Sequence, residues 1–450
     1  MNEKLNEALN EISDKHVNEA VTHKKKRRHF YWIGAVAAVL AVVLLLNVSG
    51  ISLSLRARAV STADYPKYEW KYRVEEMDAV RENLRDFFTA SMSESLSGTA
   101  GENQAYSPVN LYMALSLAAE LTGGDSRQQI LELLAADSIE HLRGQAGEVW
   151  NACYLDDGDQ TLLANSLWLD TELDYSQNVM DTLADSYYTS VYQADLGSGS
   201  ANKAISSWLN GQTGGLLKKQ TQQVSLAPET VLALYSTVYY QAKWSDYAEF
   251  SAGNNTDGIF HAPGGDVDVT FMNKKQMQSN YYWGESFGAV SLGLKDGSLM
   301  WLILPDEDKT VEDVLASEEY VRLVLGDWNE ENSKYLFVNL SLPKFDIRAA
   351  NDLKEDLQDL GVTNVFDPQI ADFSASVSGD VPVVFTNVNQ ATRVAIDEKG
   401  VTAASYIEIP GAGAAQPPEE EIDFILDRPF LFVIANRYKL PLFAGVVNEP

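Results

Sequence analysis

The chain has 450 residues, 45% hydrophobic and 10% aromatic, which is ample for a large core and places it among globular proteins. Its net charge at pH 7 is −30; residues 1–28 hold seven Lys/Arg against five Asp/Glu, leaving 27 against 59 for the rest, a net of −32. That balance argues against a nucleic-acid partner and suits a well-solvated exterior, or a cationic partner met by electrostatic steering. Cys153 is the only cysteine, which excludes an intrachain disulfide and a cysteine-built zinc site, so stability must come from packing.

In chain order, Leu5, Leu9, Ile12 and Val17 fall near helical spacing and predict a short amphipathic helix. The basic run 24–28 follows, and residues 30–55 then pass without a charge. About 20 apolar residues rising roughly 1.5 Å each cross a ~30 Å hydrocarbon layer, so a transmembrane helix is predicted over 30–50. Tyr31 and Trp32 would lie at one interface, and the basic cluster places residues 1–29 in the cytoplasm, with a tether over 51–74 and the bulk of the chain outside the cell. A cleaved signal peptide is the alternative, with Ala57-Arg58-Ala59 as its site, but that arginine and the long apolar run favour a retained anchor.

Val80, Leu84, Phe87 and Phe88 make one apolar helix face. Ser107-Pro108 opens a second helix through Leu111, Leu115, Ala118 and Leu121, closed by Gly123-Gly124, and Ser126 is placed to cap a third through Ile130, Leu133 and Leu134. Helical patterns over 175–190 and 201–217 are interleaved with strand-like runs at 161–169, 231–243, 299–304, 335–343 and 381–388. No internal repeat is present. The fold class is α+β: mixed, largely antiparallel sheets with packed helices in one domain over 75–450.

The stretch 397–421 stands apart. In its first half Val401, Ala403, Ser405, Ile407 and Ile409 alternate with Thr402, Ala404, Tyr406 and Glu408 as a strand does; its second half is small, Pro-rich and acidic. The 29 residues after it read as two buried strands joined by Asn436-Arg437-Tyr438-Lys439. Two strands cannot make a domain in water, so they must complete a sheet built earlier, and 411–421 is an exposed loop inside one domain rather than a linker.

At this point the residues carry a family resemblance: from about 75 to 450 the chain resembles a serpin. Asn103, Ser107 and Pro108 repeat the N-x-x-x-S-P start of that family's second helix; Trp208, Thr213 and Gly215 fit W-x-x-x-x-T-x-G; and Lys243-Trp244 after Tyr239-Tyr240 resembles the aromatic end of a central strand. Ser341-Leu342-Pro343-Lys344-Phe345, then Gly361 and Phe366, and Asp427-Arg428-Pro429-Phe430 match three further motifs. Ile396-Asp397-Glu398-Lys399-Gly400 leads into a small-residue run, as the family's hinge does.

The resemblance implies a protein that is no enzyme and needs no cofactor or metal. Its exposed reactive-centre loop, about 400–421, is attacked by a serine protease, and the loop then inserts into the large sheet and traps the acyl-enzyme. The hinge would be Glu398, Lys399, Gly400, Val401, Thr402, Ala403, Ala404 and Ser405, and the sheet-opening region Ser107, Asn110, Ser236 and Asn389. Counting Gly400 as the fifteenth residue before the cleaved bond puts that bond between Ala414 and Ala415, with Ala412 and Gly413 contributing specificity. An alanine there offers neither a cation nor a ring to a specificity pocket, so an elastase-like or subtilisin-like protease is expected. The chain departs from the family at Thr402, where a glutamate is usual, and at Tyr406, Ile407 and Glu408, where small residues are usual. A non-inhibitory serpin acting as an extracellular binding module is the alternative.

One rival motif is Gly284-Glu285-Ser286-Phe287-Gly288, which fits a hydrolase nucleophile elbow. The histidines are His16, His23, His29, His141 and His261, and none follows Ser286 as that fold requires. Absent disulfides and a short basic tail point to a bacterial, membrane-anchored protein.

Overall fold

The structure, a computed structural model, describes residues 57–65, 77–98, 101–157, 159–215, 224–379, 382–386, 388–401 and 418–450. All of these fall within one unit, Ile51–Pro450. The amphipathic helix expected near residue 12, the cytoplasmic tail over 1–29 and the transmembrane helix over 30–50 lie outside the described residues. Among the described residues no helix is long and apolar enough to cross a membrane. The longest is α1 (Asp78–Leu96), whose buried face of Val80, Leu84, Phe87, Phe88 and Met92 is backed by charged residues such as Glu82 and Asp86. The expected single-pass membrane localisation is therefore withdrawn. The tether also differs from expectation, because Arg58–Ser61 is a strand, β1, at the edge of a sheet.

Five more helices matter here: α2 (Pro108–Leu121), α3 (Gly124–Leu133), α4 (Ile139–Cys153), α5 (Gln177–Tyr187) and α6 (Gly199–Gln212). Ser107 caps α2, its Oγ accepting from the Asn110 N–H, and Pro108 occupies the first turn, where a missing N–H costs nothing. Nearly every residue of α2 is buried, as expected of a helix that is apolar all round. Ser126 does not cap α3, which starts at Gly124; its hydroxyl accepts from the Asp372 N–H instead. Buried Glu120 of α2 joins three helices, one carboxylate oxygen 2.6 Å from Arg143 of α4 and the other accepting from Tyr187 of α5 at 3.0 Å.

The strands form two sheets. The first contains β1, β3 (Leu155–Asp157), β4 (Asp159–Asp170), β5 (Thr189–Ala194), β6 (Leu232–Lys243), β12 (Phe345–Asp352), β13 (Asn389–Asp397) and β14 (Gly400–Val401). Its order is β1-β5-β4-β6-β14-β13-β12, with β3 paired to β4. The second contains β2 (Gln104–Tyr106), β7 (Thr256–Ala262), β8 (Gly265–Trp283), β9 (Phe287–Gly293), β10 (Leu299–Pro305), β11 (Ser333–Pro343), β15 (Glu421–Ile425), β16 (Phe430–Ala435) and β17 (Pro441–Val447). Apart from the parallel pairs β4–β5 and β11–β15, the ladders are antiparallel. Every residue of β16 and β17 is buried, and β16 lies between β10 and β17, so the C-terminal strands do complete a sheet begun far upstream.

One expected strand is misplaced. Residues 382–386 form none; the strand begins at Asn389, where a continuous ladder pairs residues 389–396 with β12. Before it the backbone is spent elsewhere, with Phe385 N–H donating to the Val365 carbonyl and Val388 N–H to the Asp352 carboxylate.

Candidate functional site: a slot in the large sheet

The chain leaves β13, turns at Glu398-Lys399 and re-enters the same sheet as β14, between β13 and β6. Val401 pairs with Ile396 on one side and with Ala242 on the other; Gly400 pairs with Asp397 and Lys243. Among the described residues β6 and β13 share no ladder of their own, so Gly400 and Val401, two residues of the expected hinge, are what joins the halves of the sheet at this level. Gly400 has φ of +144°, and a Cβ there would press on the Ala242 carbonyl and lie 2.6 Å from Lys243 Cα. Only glycine fits both the backbone and the space.

Side chains fix the turn from outside the slot. The Trp244 indole N–H donates to the Asp397 carbonyl at 2.8 Å, and the Lys399 N–H donates to the Asp397 carboxylate at 2.7 Å. Glu398 lies 2.6 Å from Lys344 Nζ and accepts from the Asn255 amide at 2.6 Å. The Lys344 ammonium is the main reason the Glu398 carboxyl is held down at about 2. Lys344 stands between β11 and β12, so this pair ties the turn to the chain entering the neighbouring strand.

Beneath the slot lies the start of α2, which reaches both sides. Asn110 bonds to Ser236 of β6 twice, its amide donating to the Ser236 carbonyl at 3.2 Å and its oxygen accepting from the Ser236 hydroxyl. On the other side the partner is Gln390 and not the expected Asn389. The Gln390 amide oxygen accepts from the Ser107 N–H at 2.7 Å while its nitrogen donates to the Ser107 carbonyl at 3.1 Å. Asn389 is exposed. The error is one of register: in a strand, one residue reverses the face, and Gln390, Thr392, Val394 and Ile396 all point inward. That alternation was readable in the sequence and identifies Gln390. The pairing of Glu398 with Lys344 and Asn255 was not, since these residues meet only in the folded sheet.

Thr402, Ala403, Ala404, Ser405, Ala412, Gly413, Ala414 and Ala415 lie outside the described residues. Past them the chain is held by the second sheet, where β15 pairs with β11 from Glu421 opposite Phe337 to Ile425 opposite Ser341. Lys334 lies 2.6 Å from Glu420, and the Asn339 amide donates to Glu421 and Asp423 at 2.6 and 2.9 Å. The loop thus leaves from one sheet and returns to the other.

The rival motif is structural. Ser286 is buried, its hydroxyl without a partner among the described residues, and a Cβ on Gly288 would collide with the Tyr281 phenol. Among the described residues no group of three or more His, Cys, Asp or Glu side chains is placed to hold a metal.

Residues 83–450 match the family described as serpin, a serine protease inhibitor. The chain belongs to the serpin family. This serpin is 26% identical over 397 residues to Serpin-ZX of Arabidopsis thaliana, spanning 82% of this chain and 99% of the relative. It is 25% identical over 380 residues to plasminogen activator inhibitor 1 of Bos taurus, spanning 81% and 91%. The native-state crystal structure of tengpin, a thermophilic serpin, shares its fold with a TM-score of 0.74 at 24% identity, covering 88% of this chain and all of that one. These sequence relatives come from a plant and a mammal, and the bacterial origin expected above has no support from them. Serpins are in general protease inhibitors.

Proposed function

We propose that this serpin is a suicide-type inhibitor: a serine protease cleaves its loop between Ala414 and Ala415 and is trapped as an acyl-enzyme when the loop inserts between β6 and β13. The observation that carries this reading is β14, a strand already started in the middle of the sheet from the hinge side. Continuing its register sets Ala403 opposite Tyr240 and Val394, Ser405 opposite Val238 and Thr392, and Ile407 opposite Ser236 and Gln390. Each added residue would gain backbone hydrogen bonds worth about 0.5–1.5 kcal/mol, and the inward residues would bury their side chains. Ile407 is the bulky one, and it would arrive over the Asn110 and Ser107 contacts. The hinge from Glu398 to Ser405 sets whether insertion starts; Ala412, Gly413 and Ala414 set which protease attacks. A small apolar residue before the cleaved bond suits an elastase-like or subtilisin-like enzyme.

The test is to incubate the protein with an elastase-like protease and analyse the mixture under denaturing conditions. A covalent complex that survives denaturation, cut at Ala414-Ala415, is expected. Cleavage of the loop that leaves the protease active would sink the proposal and favour a binding module that does not inhibit.

A further inference from the structure

We propose that residues 58–65 are a strap that fastens the outer edge of the large sheet to the helical layer and so slows the parting of β6 from β13. This rests on the insertion reading above and adds a control over its rate. β1 pairs antiparallel with β5, Arg58 opposite Gln193, Ala59 opposite Tyr192 and Ser61 opposite Val191, with a bulge before Ser61. β5 would otherwise be a bare edge. The remaining contacts leave the sheet. Arg58 donates to Gln193 of β5 at 2.7 Å and to the Tyr175 hydroxyl, just before α5, at 3.1 Å. Ser61 donates to Asp181 of α5 at 2.7 Å and accepts from Gln177 at 3.2 Å. The Ala63 N–H donates to the Ser190 hydroxyl of β5 at 3.4 Å. Tyr65 ends the run with its ring stacked on Trp150 and Tyr154 of α4 and its following turn, at 5.8 and 5.9 Å, and Trp150 in turn lies 4.0 Å from Tyr188 at the start of β5.

The mechanical consequence follows from the strand order. To admit a full strand, β1, β5, β4 and β6 must move away from β13 and β12 by one strand spacing, about 4.8 Å. The helices beneath are cross-tied by Glu120, Arg143 and Tyr187, so α4 is fixed to α2, whose first turn grips both sides of the slot. Through Tyr65 the strap therefore ties the edge that must travel to α4, which Arg143 and Glu120 fasten to α2. Its contacts lie at the far edge from the slot, so they bear on the motion without touching the inserting loop.

The experiment uses the full chain and a fluorescent synthetic peptide of residues 401–414, whose rate of incorporation into the sheet is followed on native gels. Tyr65→Ala is expected to take up the peptide about tenfold faster than the unaltered chain, and Ser61→Ala about twofold faster, while Tyr65→Phe, which keeps the stack, matches the unaltered chain. Equal uptake by all four proteins overturns the strap, including the case where Tyr65→Ala merely lowers the urea midpoint. Absence of uptake by any of them, together with loop cleavage that brings no gain in thermal stability, overturns the insertion reading and the strap with it.

Discussion

Two very short strands, β1 and β14, join the same sheet at opposite kinds of place. β1 has four residues, lies at the edge with one neighbour, and is held by side chains from Arg58, Ser61 and Tyr65. β14 has two residues, lies in the middle with a neighbour on each side, and is held by backbone pairing and by a glycine that lets the chains approach. The edge is closed by contacts that lead away from the sheet. The centre is closed by contacts that more chain of the same kind could extend. The edge strand is thus fixed by side chains that reach beyond the sheet, while the centre is held by backbone pairing that a further segment could extend.

The largest test of that contrast is Ala403→Arg. Burying an unpaired guanidinium on the inserting face costs several kcal/mol, so the yield of covalent complex should fall by about 100-fold or more while the loop is still cut. Full inhibition by this variant would show that the inward face starts from the wrong residue.

A smaller effect is expected from the support beneath the centre. Gln390→Leu leaves the Ser107 N–H unpaired in a buried site, while the Ser107 carbonyl keeps the Leu111 N–H, and should lower stability by about 1–3 kcal/mol in urea unfolding, whereas Asn389→Leu should change it by less than about 0.5 kcal/mol. Equal effects from the two would mean that the strand presents the other face.

The smallest effect concerns the turn above the slot. The Glu398 carboxyl is held below its ordinary 4.5, down at about 2, chiefly by Lys344. Its contribution is therefore present above about pH 4.5 and lost as pH falls toward 2. Partial exposure keeps such a pair under about 1 kcal/mol. The difference in urea midpoint between the unaltered protein and Glu398→Gln should be measurable at pH 7 and nearly gone at pH 2. A difference that persists unchanged at low pH would exclude the ion pair as its source.

Much of this was legible in the chain itself. The periodicities of α1, α2, β4, β6 and β11 place those elements within a few residues, because a buried face must repeat at the period of the backbone. The two C-terminal runs announced buried strands, and their length alone required a sheet assembled elsewhere. Less legible was anything set by a shift of one residue. Alternation read from 381–388 picked a segment whose N–H groups go to the Val365 carbonyl and the Asp352 carboxylate instead of a strand ladder, and the partner expected beside Ser107 was Asn389 rather than Gln390. The apolar run over 30–50 suggested a membrane span, and the described fold contains no helix of that kind.

By itself, the sequence determined the class of fold and the glycine that the turn after β13 requires at residue 400, since these depend on local backbone preference and on motifs within a few residues of each other. Tertiary structure alone decided that Gly400 and Val401 sit between β6 and β13, that Lys344 faces Glu398, and that Tyr65 reaches Trp150. Each of these joins segments far apart in the chain. Local preference carries no information about which distant surfaces meet; that choice is made by packing the whole core at once.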